Sequence, residues 1–230
     1  MELENKMKEH EAVPLMDYVE QASTQMLDEV QEFLARMKKR HTVREFSDRP
    51  VDRAVIEAAI AAAGLAPSGA NHQPWHFCAI GTPEAKATLR ELAEKEEREF
   101  YAGKAGEAWL DALAPLGTDA HKPYLQHAPW IIAIFGQRKG GIREDGEQQN
   151  YYVPESVGIS MGFLIAALHH AGLCMLTHTP KPMTFLNDLC GRPKSEKPYL
   201  LLVVGYPAKD ATVPVHALKK KPLDQIASFI

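Results

Sequence analysis

Apolar residues recur along this chain with two spacings, one typical of amphipathic helices and the other of buried strands. The helical spacing appears first in a segment that carries Val19, Met26, Val30, Phe33, Leu34 and Met37. A second helix is predicted from Asp52, which can cap it, to Gly64, which can end it. Thr82 followed by Pro83 predicts the start of a third helix that continues through Glu99.

Short apolar runs without helical spacing predict strands at 75–80, 130–135, 173–176 and 199–204. Some of these runs are unbroken, which is typical of a sheet covered on both faces. Further helices are predicted at 154–171 and ending near Gly191, whereas the Gly-punctuated segment 102–128 and the polar segment 136–150 are predicted to be looser. The mixed order predicts an α/β or α+β fold with a central sheet covered by helices.

The two ends of the chain differ from its middle. Residues 1–14 are charged and end at Pro14, so we expect a flexible N-terminal arm followed by a single domain at 15–230. The last 26 residues lack a core pattern of their own, and we expect them to wrap around a partner subunit.

Charge and cysteine content exclude several classes of protein. The net charge is −4 and 45% of the residues are hydrophobic, so a substantial core is expected and nucleic acid is not expected as a partner. The three cysteines lie in apolar runs without a CxxC pair, which predicts neither a disulfide framework nor a thiolate metal site. No apolar run approaches the roughly 20 residues of a membrane span, and residues 1–15 lack an apolar signal core. The sequence therefore predicts a soluble, cytoplasmic protein.

Two motif matches carry little weight. Gly158–Gly162 fits the GxSxG pattern of serine hydrolases, but Ser160 lies within a predicted helix, where the glycines would simply allow close packing. His72 and His76 have the spacing of a helical zinc site, but Pro74 lies between them, so we expect no metal.

A loop at 66–75, APSGANHQPW, opens directly into an aromatic strand and is suited to hold a flat ligand. Gly69 there permits a close approach that a Cβ would obstruct. Arg40 and Arg44 can lie on either side of a phosphate, and Thr42 adds a hydroxyl donor, although solvated charges at a helix end would give the same pattern. Together these features favour a bound flavin over a plain surface turn.

Three blocks of the sequence resemble a known family. RHTVREF at 40–46, APSGANHQPW at 66–75 and the C-terminal segment from 204 to 226 are similar to the flavin-associated blocks of the nitroreductase-like flavoproteins, and within them of the iodotyrosine deiodinases. The resemblance runs from about Arg40 to Ile226. It implies an α+β, sandwich-like nitroreductase fold with a central mixed sheet, and a homodimer that binds FMN at the subunit interface.

The resemblance also implies which residues contact the cofactor. The cofactor-binding positions are Arg40, His41, Thr42, Arg44, Ser68, Thr177, His178, Thr179 and Lys220. Thr179 would hydrogen-bond the flavin N5 and act as the catalytic residue. His41 and His178 stand where the animal enzymes commonly have Arg and Thr, respectively. At these two positions the resemblance therefore implies contacts of the backbone, rather than of the side chain, with the cofactor. Lys220 would contact the phosphate, although the run 219–221 also fits a solvated surface.

A substrate clamp follows from the same resemblance. Glu97 and Tyr101 are four apart and share a helix face, and Lys122 lies beyond the looser segment. They match the family's residues that hold an amino acid zwitterion, within a mobile lid at about 95–125. A solvated acidic helix is the alternative reading of 94–99. The backbone N–H of Ala70 would bind the substrate phenolate.

The implied activity is FMN-dependent reductive dehalogenation of 3-iodotyrosine and related halotyrosines to tyrosine and halide. Electrons would come from a reductase partner or an NAD(P)H-linked system. Two alternatives remain, a nitroreductase or quinone reductase that uses NAD(P)H, and a non-catalytic protein that binds flavin or halotyrosine.

Overall fold

The computed structural model describes residues 11–140 and 148–230, and it divides after Lys39 into two compact units. In the N-terminal unit, α1 spans Ser23–Lys38 and confirms the first predicted helix, with Val19 lying before it. Arg36 and Lys38 in its last turn suit the negative end of the helix dipole. The apolar residues Met26 and Val30 are more than half exposed. The predicted arm at 1–14 lies largely outside the described residues.

The C-terminal unit, from Arg40 onward, contains the remaining helices and all four strands of the described chain. Its helices are α2 (Arg53–Gly64), α3 (Pro83–Glu99), α4 (Glu107–Leu113), α5 (Tyr124–His127), α6 (Val153–His170), α7 (Phe185–Leu189) and α8 (Val215–Leu218). The predicted caps are confirmed, because the Asp52 side chain accepts a hydrogen bond from the Ala54 N–H and the Thr82 side chain accepts one from the Ala85 N–H.

The strands are β1 (Trp75–Ile80), β2 (Trp130–Gln137), β3 (Cys174–His178) and β4 (Glu196–Gly205). They form one sheet in the order β1-β2-β4-β3, and every neighbouring pair is antiparallel. A parallel bridge between Thr42 and Met175 adds the segment after Arg40 beside β3. The α+β fold class is confirmed.

The strand β2 shows why the sheet is enclosed. Ile131, Ala133 and Phe135 belong to one buried apolar cluster, with Leu89 of α3. Ile132 and Ile134 belong to a second cluster on the opposite face, formed with residues of α2 and α6. Because successive side chains of a strand point to opposite faces, both faces of β2 are buried, as the unbroken apolar run predicts.

Several boundaries differ from the sequence prediction. The segment 102–128 was expected to be loose, but it contains α4, α5 and two short helical turns. Both α4 and α5 are too short for an amphipathic period to be recognised. The strand β3 extends to His178, past the end of the apolar run, because pairing with β4 continues through Thr177 and His178. Within the predicted loop at 136–150, residues 141–147 lie outside the described residues. No helix of the described ranges has the length and apolar character needed to cross a bilayer.

The GxSxG serine has a structural role. Ser160 is fully buried in the middle of α6, and its hydroxyl donates a 2.7 Å hydrogen bond to the Ala63 carbonyl at the end of α2. A Cβ added at Gly158 or Gly162 would meet no atom within 4 Å, so the expectation that these glycines allow close packing is wrong within this chain. The two glycines lie on an exposed face of α6.

We expect Ser160→Ala to lower the free energy of unfolding by about 1 kcal/mol, the usual net value of such a hydrogen bond. A larger loss is not expected, because the Ala63 carbonyl also accepts a hydrogen bond from the Ala66 N–H. Urea denaturation would measure the change, with the exposed Ser195→Ala as the control. An unchanged midpoint for Ser160→Ala would contradict the assigned role.

Candidate functional site

A cavity of about 540 Å³ lies at the C-terminal end of α3, beside the end of β3. It brings together the segment after Arg40, the end of α3, the short helices that follow and the strand β3. Among the residues that line it are Thr42, Arg44, Glu97, Tyr101, Trp109, Thr118, Lys122, Tyr124, Thr177, His178 and Thr179. Some of the residues expected to hold the cofactor and some of those expected to hold the substrate therefore share one cavity.

The three predicted clamp residues meet in this cavity. The Lys122 Nζ lies 3.3 Å from the Glu97 Oε2, and both side chains are largely buried. The Lys122 Nζ also lies 5.7 Å from the centre of the Tyr101 ring. Burial raises the pKa of Glu97, and the neighbouring Lys122 ammonium opposes that rise without cancelling it. An acidic and a basic group are thus held side by side out of solvent.

Thr118 holds two of these groups in place. Its carbonyl accepts a 3.2 Å hydrogen bond from the Tyr101 hydroxyl, and its own hydroxyl accepts a 3.0 Å hydrogen bond from the Lys122 Nζ. The pKa of Tyr101 is raised, chiefly by burial. Thr118 was not predicted, because a single Thr in a loop carries no recognisable pattern.

Glu94 is a second residue that the sequence did not reveal. Its Oε1 accepts hydrogen bonds from the Lys122 N–H at 2.8 Å and from the Arg90 Nε at 2.8 Å, so it fastens α3 to the segment that carries Lys122. Burial alone would raise the pKa of Glu94, but the hydrogen bonds from Arg90 and Lys122 outweigh it and lower the pKa. The acidic run 94–99 is therefore not a uniformly solvated face, since Glu94 and Glu97 both have specific partners.

The cavity is also lined by a cation and by hydroxyl groups. Arg44 is half-buried, and within the described ranges no carboxylate lies within ion-pair distance of it. Thr42 lies nearby on the bridge to Met175, and Thr177 and Thr179 are exposed where they line the cavity. A guanidinium and several hydroxyls without an anionic protein partner suit a ligand that carries negative charge and hydrogen-bond acceptors.

His178 differs from its two neighbours. Successive residues of a strand point to opposite faces, and His178 is buried whereas Thr177 and Thr179 are exposed. Its Nε2 lies 3.9 Å from the Glu97 Oε1, and its ring meets the Tyr124 ring edge-on at a centroid distance of 5.8 Å. Burial, followed by the positive charges of Lys122 and Arg44, lowers the pKa of His178 to about 3. The imidazole is therefore neutral at physiological pH.

The loop at 66–75 is tightly built. A Cβ at Gly69 would lie 2.8 Å from the Tyr151 carbonyl oxygen, so the expected close approach is to the protein's own backbone. The Ser68 hydroxyl accepts a 2.9 Å hydrogen bond from the Gln73 N–H. Ala70, Asn71 and Gln73 all adopt positive φ, at 49°, 54° and 50°. Such conformations cost free energy in non-glycine residues and are found preferentially at ligand sites.

Five of the predicted site residues do not line the 540 Å³ cavity, although all five belong to the described ranges. They are Arg40, His41, Ser68, Ala70 and Lys220. The Lys220 Nζ donates a 2.7 Å hydrogen bond to the carbonyl of Ala217, a residue that does line the cavity. A single copy of the chain thus brings only part of the predicted site into this cavity.

The fold and the cavity define an α+β protein whose site combines hydroxyl groups, a buried ion pair and a guanidinium that has no carboxylate partner in the part of the chain that the structure describes. The model of the nitroreductase family matches residues 37–206, and the chain belongs to this family. The resemblance found in the sequence is thereby confirmed.

Individual proteins to which the chain is similar indicate a narrower group within this family. The chain is 49% identical over 190 residues to iodotyrosine deiodinase of Haliscomenobacter hydrossis, a match that covers 83% of this chain and 86% of that protein. It is 43% identical over 203 residues to iodotyrosine deiodinase 1 of Homo sapiens, a match that covers 88% of this chain and 70% of that protein. A crystal structure of oxidised iodotyrosine deiodinase bound to FMN and 3-iodo-L-tyrosine matches with a TM-score of 0.71 at 27% identity, over 86% of this chain and 100% of that chain.

Proposed function

We propose that this protein is an FMN-dependent reductive dehalogenase that converts 3-iodotyrosine and related halotyrosines to tyrosine and halide. The observation that carries the proposal is the buried Glu97–Lys122 pair, which lies with Tyr101 in the same cavity as Arg44 and Thr177–Thr179. A general nitroreductase has no need of a paired acid and base beside its flavin. The relatives named as iodotyrosine deiodinases, at 43–49% identity, support the same activity.

The residues of the cavity fit FMN. Arg44 has no carboxylate partner within the described ranges, and the hydroxyls of Thr42, Thr177 and Thr179 are available to a polar cofactor. These four residues would hold FMN, together with Arg40, His41, Ser68, the backbone of His178, and Lys220. FMN, once reduced by a reductase partner or an NAD(P)H-linked system, would supply the two electrons that, with one proton, replace the halogen by hydrogen and release halide. Thr179, at the end of β3, is the residue we assign to the flavin N5.

The clamp recognises the amino acid end of the substrate. A carboxylate such as that of Glu97 binds an α-ammonium group, whereas the Lys122 ammonium and the Tyr101 hydroxyl bind an α-carboxylate. In the absence of substrate, Glu97 and Lys122 satisfy each other at 3.3 Å. A zwitterion replaces this ion pair with two others, so neither buried charge is left without a partner. Selectivity for a free amino acid follows from that exchange.

The phenol end of the substrate is assigned to the loop at 66–75. An ortho halogen lowers the pKa of a phenol below the value of about 10 that is usual for tyrosine. A backbone N–H donor, which we assign to Ala70, favours the phenolate further. The segment at 95–125 acts as a lid, and its closure excludes water from the reacting ring.

We further propose that the working unit is a homodimer, because five of the predicted site residues do not line the cavity that one chain forms. Apolar surface supports this assembly. Ile159 and Phe163 are 43% and 44% exposed, and they share one face of α6 with Gly158 and Gly162, at which an added Cβ would meet nothing. Leu223, Ile226 and Phe229 of the C-terminal segment are also exposed, and they would wrap around the second subunit.

Titration of the oxidised FMN-loaded protein with 3-iodotyrosine tests the proposal, with quenching of flavin fluorescence as the signal. We expect saturable binding and much weaker binding of nitroaromatic substrates. Rapid reduction of the flavin by NAD(P)H alone, combined with no binding of 3-iodotyrosine, would instead establish a nitroreductase. Binding without turnover after chemical reduction would establish a non-catalytic binding protein.

The lid itself provides a second test. We expect Glu94→Ala to weaken 3-iodotyrosine binding about tenfold, because the Lys122 N–H then loses its 2.8 Å charge-assisted hydrogen bond and the Lys122 segment loosens. FMN affinity should not change. Glu91→Ala, an exposed glutamate one turn earlier on α3, is the control. Equal effects of the two substitutions would contradict the role given to Glu94.

A further inference from the structure

His178, which lines the cavity, carries a buried ring nitrogen, Nε2, that is available for a hydrogen bond. Only 8% of the residue is exposed, and its buried Nε2 has no hydrogen-bond partner among the residues that the structure describes. Leaving such an atom unpaired costs free energy, so a group that pairs with it is expected in the working state of the protein. The Oε1 of the Glu97 carboxylate lies 3.9 Å from this atom, too far for a direct hydrogen bond.

The protonation state of His178 fixes what this atom can do. Burial and the nearby positive charges of Lys122 and Arg44 keep the pKa of His178 at about 3, so the imidazole is neutral. A neutral imidazole has one ring nitrogen that donates and one that accepts. A donor placed between the two residues stabilises the tautomer with its proton on Nδ1, in which the Nε2 is an acceptor, as is the neighbouring Glu97 carboxylate oxygen.

Two acceptors 3.9 Å apart are suited to a donor that reaches both. A single nitrogen placed about 2.9 Å from each would make two hydrogen bonds at once, and a primary ammonium has three N–H groups to offer. The position of Lys122 agrees with this arrangement, because its ammonium lies on the other carboxylate oxygen of Glu97, Oε2. The incoming ammonium can therefore reach Oε1 and the His178 Nε2 while Lys122 still lies on Oε2, before Lys122 turns to the substrate carboxylate.

We propose that His178 is a specificity-determining residue whose Nε2 accepts a hydrogen bond from the α-ammonium group of the substrate, beside Glu97. The proposal rests on the proposed function and gives His178 a side-chain role towards substrate rather than towards the cofactor. The preferred ligand is then a free α-amino acid, and halophenols without the amine lose this contact.

The test compares two ligands that differ only in the amine, 3-iodotyrosine and 3-(4-hydroxy-3-iodophenyl)propionate. Dissociation constants are measured by flavin fluorescence on FMN-loaded protein. We expect His178→Leu to weaken 3-iodotyrosine binding about tenfold, since hydrogen bonds to charged groups are among the stronger ones. Binding of the propionate should change less than twofold. His178→Gln, whose amide oxygen can replace the Nε2 acceptor, should restore most of the affinity for 3-iodotyrosine.

The exposed His127→Leu on α5 is the matched control, and it should leave both ligands unaffected. If His178→Leu does not fold, His178→Met provides the same loss of the acceptor. Equal losses for the two ligands, or no loss for either, would overturn the proposal, as would reduced FMN retention with unchanged ligand selectivity. Failure of the wild-type protein to bind 3-iodotyrosine would instead count against the proposed function itself.

Discussion

Glu97→Gln is expected to weaken 3-iodotyrosine binding about 100-fold while leaving the affinity for 2-iodophenol nearly unchanged. Removing one partner of a buried charge pair costs roughly 3 kcal/mol, which corresponds to about two orders of magnitude in a dissociation constant. Glu97 is 9% exposed, and the Lys122 ammonium lies 3.3 Å from it, so no solvent replaces the lost charge. Gln keeps the size of the side chain and removes only the charge.

The matched control is Glu91→Gln, on an exposed turn of the same helix. Binding of both ligands should be unchanged in this variant, since Glu91 does not line the cavity. Comparison of the two ligands is essential, because 2-iodophenol has neither ammonium nor carboxylate. Equal losses for 3-iodotyrosine and 2-iodophenol in Glu97→Gln would mean that Glu97 supports the cavity generally and clamps no zwitterion.

Phe135→Ala should produce the largest loss of stability, about 3–5 kcal/mol of unfolding free energy. Phe135 is fully buried on β2, which lies between β1 and β4 in the sheet. Removal of its ring leaves a cavity in the apolar cluster that also contains Leu89 of α3 and Leu176 of β3. Both of these elements border the ligand cavity, so FMN retention should fall together with stability.

Urea denaturation of the apoprotein measures this prediction. Leu65→Ala is the control, because Leu65 is 83% exposed and its truncation should cost less than about 0.5 kcal/mol. A loss below about 1 kcal/mol for Phe135→Ala would mean that the sheet does not depend on this cluster.

The sequence predicts the regular parts of the fold well because their signals are local. The strand at 75–80 and the helix from Pro83 to Glu99 agree with the structure at both ends. In the helix, a Thr-Pro start and a cap fix the first turn. By contrast, α4 and α5 were missed, since helices of seven and four residues are stabilised by the packing around them more than by any pattern of their own.

Parts of the site could not be predicted for a similar reason, because they depend on contacts between residues that are far apart in the sequence. The spacing of four residues predicts that Glu97 and Tyr101 lie close together, and they do line one cavity, although α3 ends at Glu99 and Tyr101 belongs to the helical turn Phe100–Lys104 that follows. The contact of Glu97 with Lys122 joins residues 25 positions apart, which no local spacing predicts. The roles of Glu94 and Thr118 depend on hydrogen bonds across the segment at 97–122, which no local pattern reports. The inward orientation of His178 depends on the extension of β3, which the apolar run does not show.

Single-turnover chemistry under anaerobic conditions tests the central claim most directly. The FMN-loaded protein is reduced with dithionite, freed of excess reductant and mixed with one equivalent of 3-iodotyrosine, and then tyrosine, iodide and the flavin spectrum are followed. We predict that tyrosine and iodide form in equal amounts as the flavin returns to its oxidised spectrum. A reduced flavin that persists beside unchanged 3-iodotyrosine would contradict the assignment of this protein as a reductive dehalogenase.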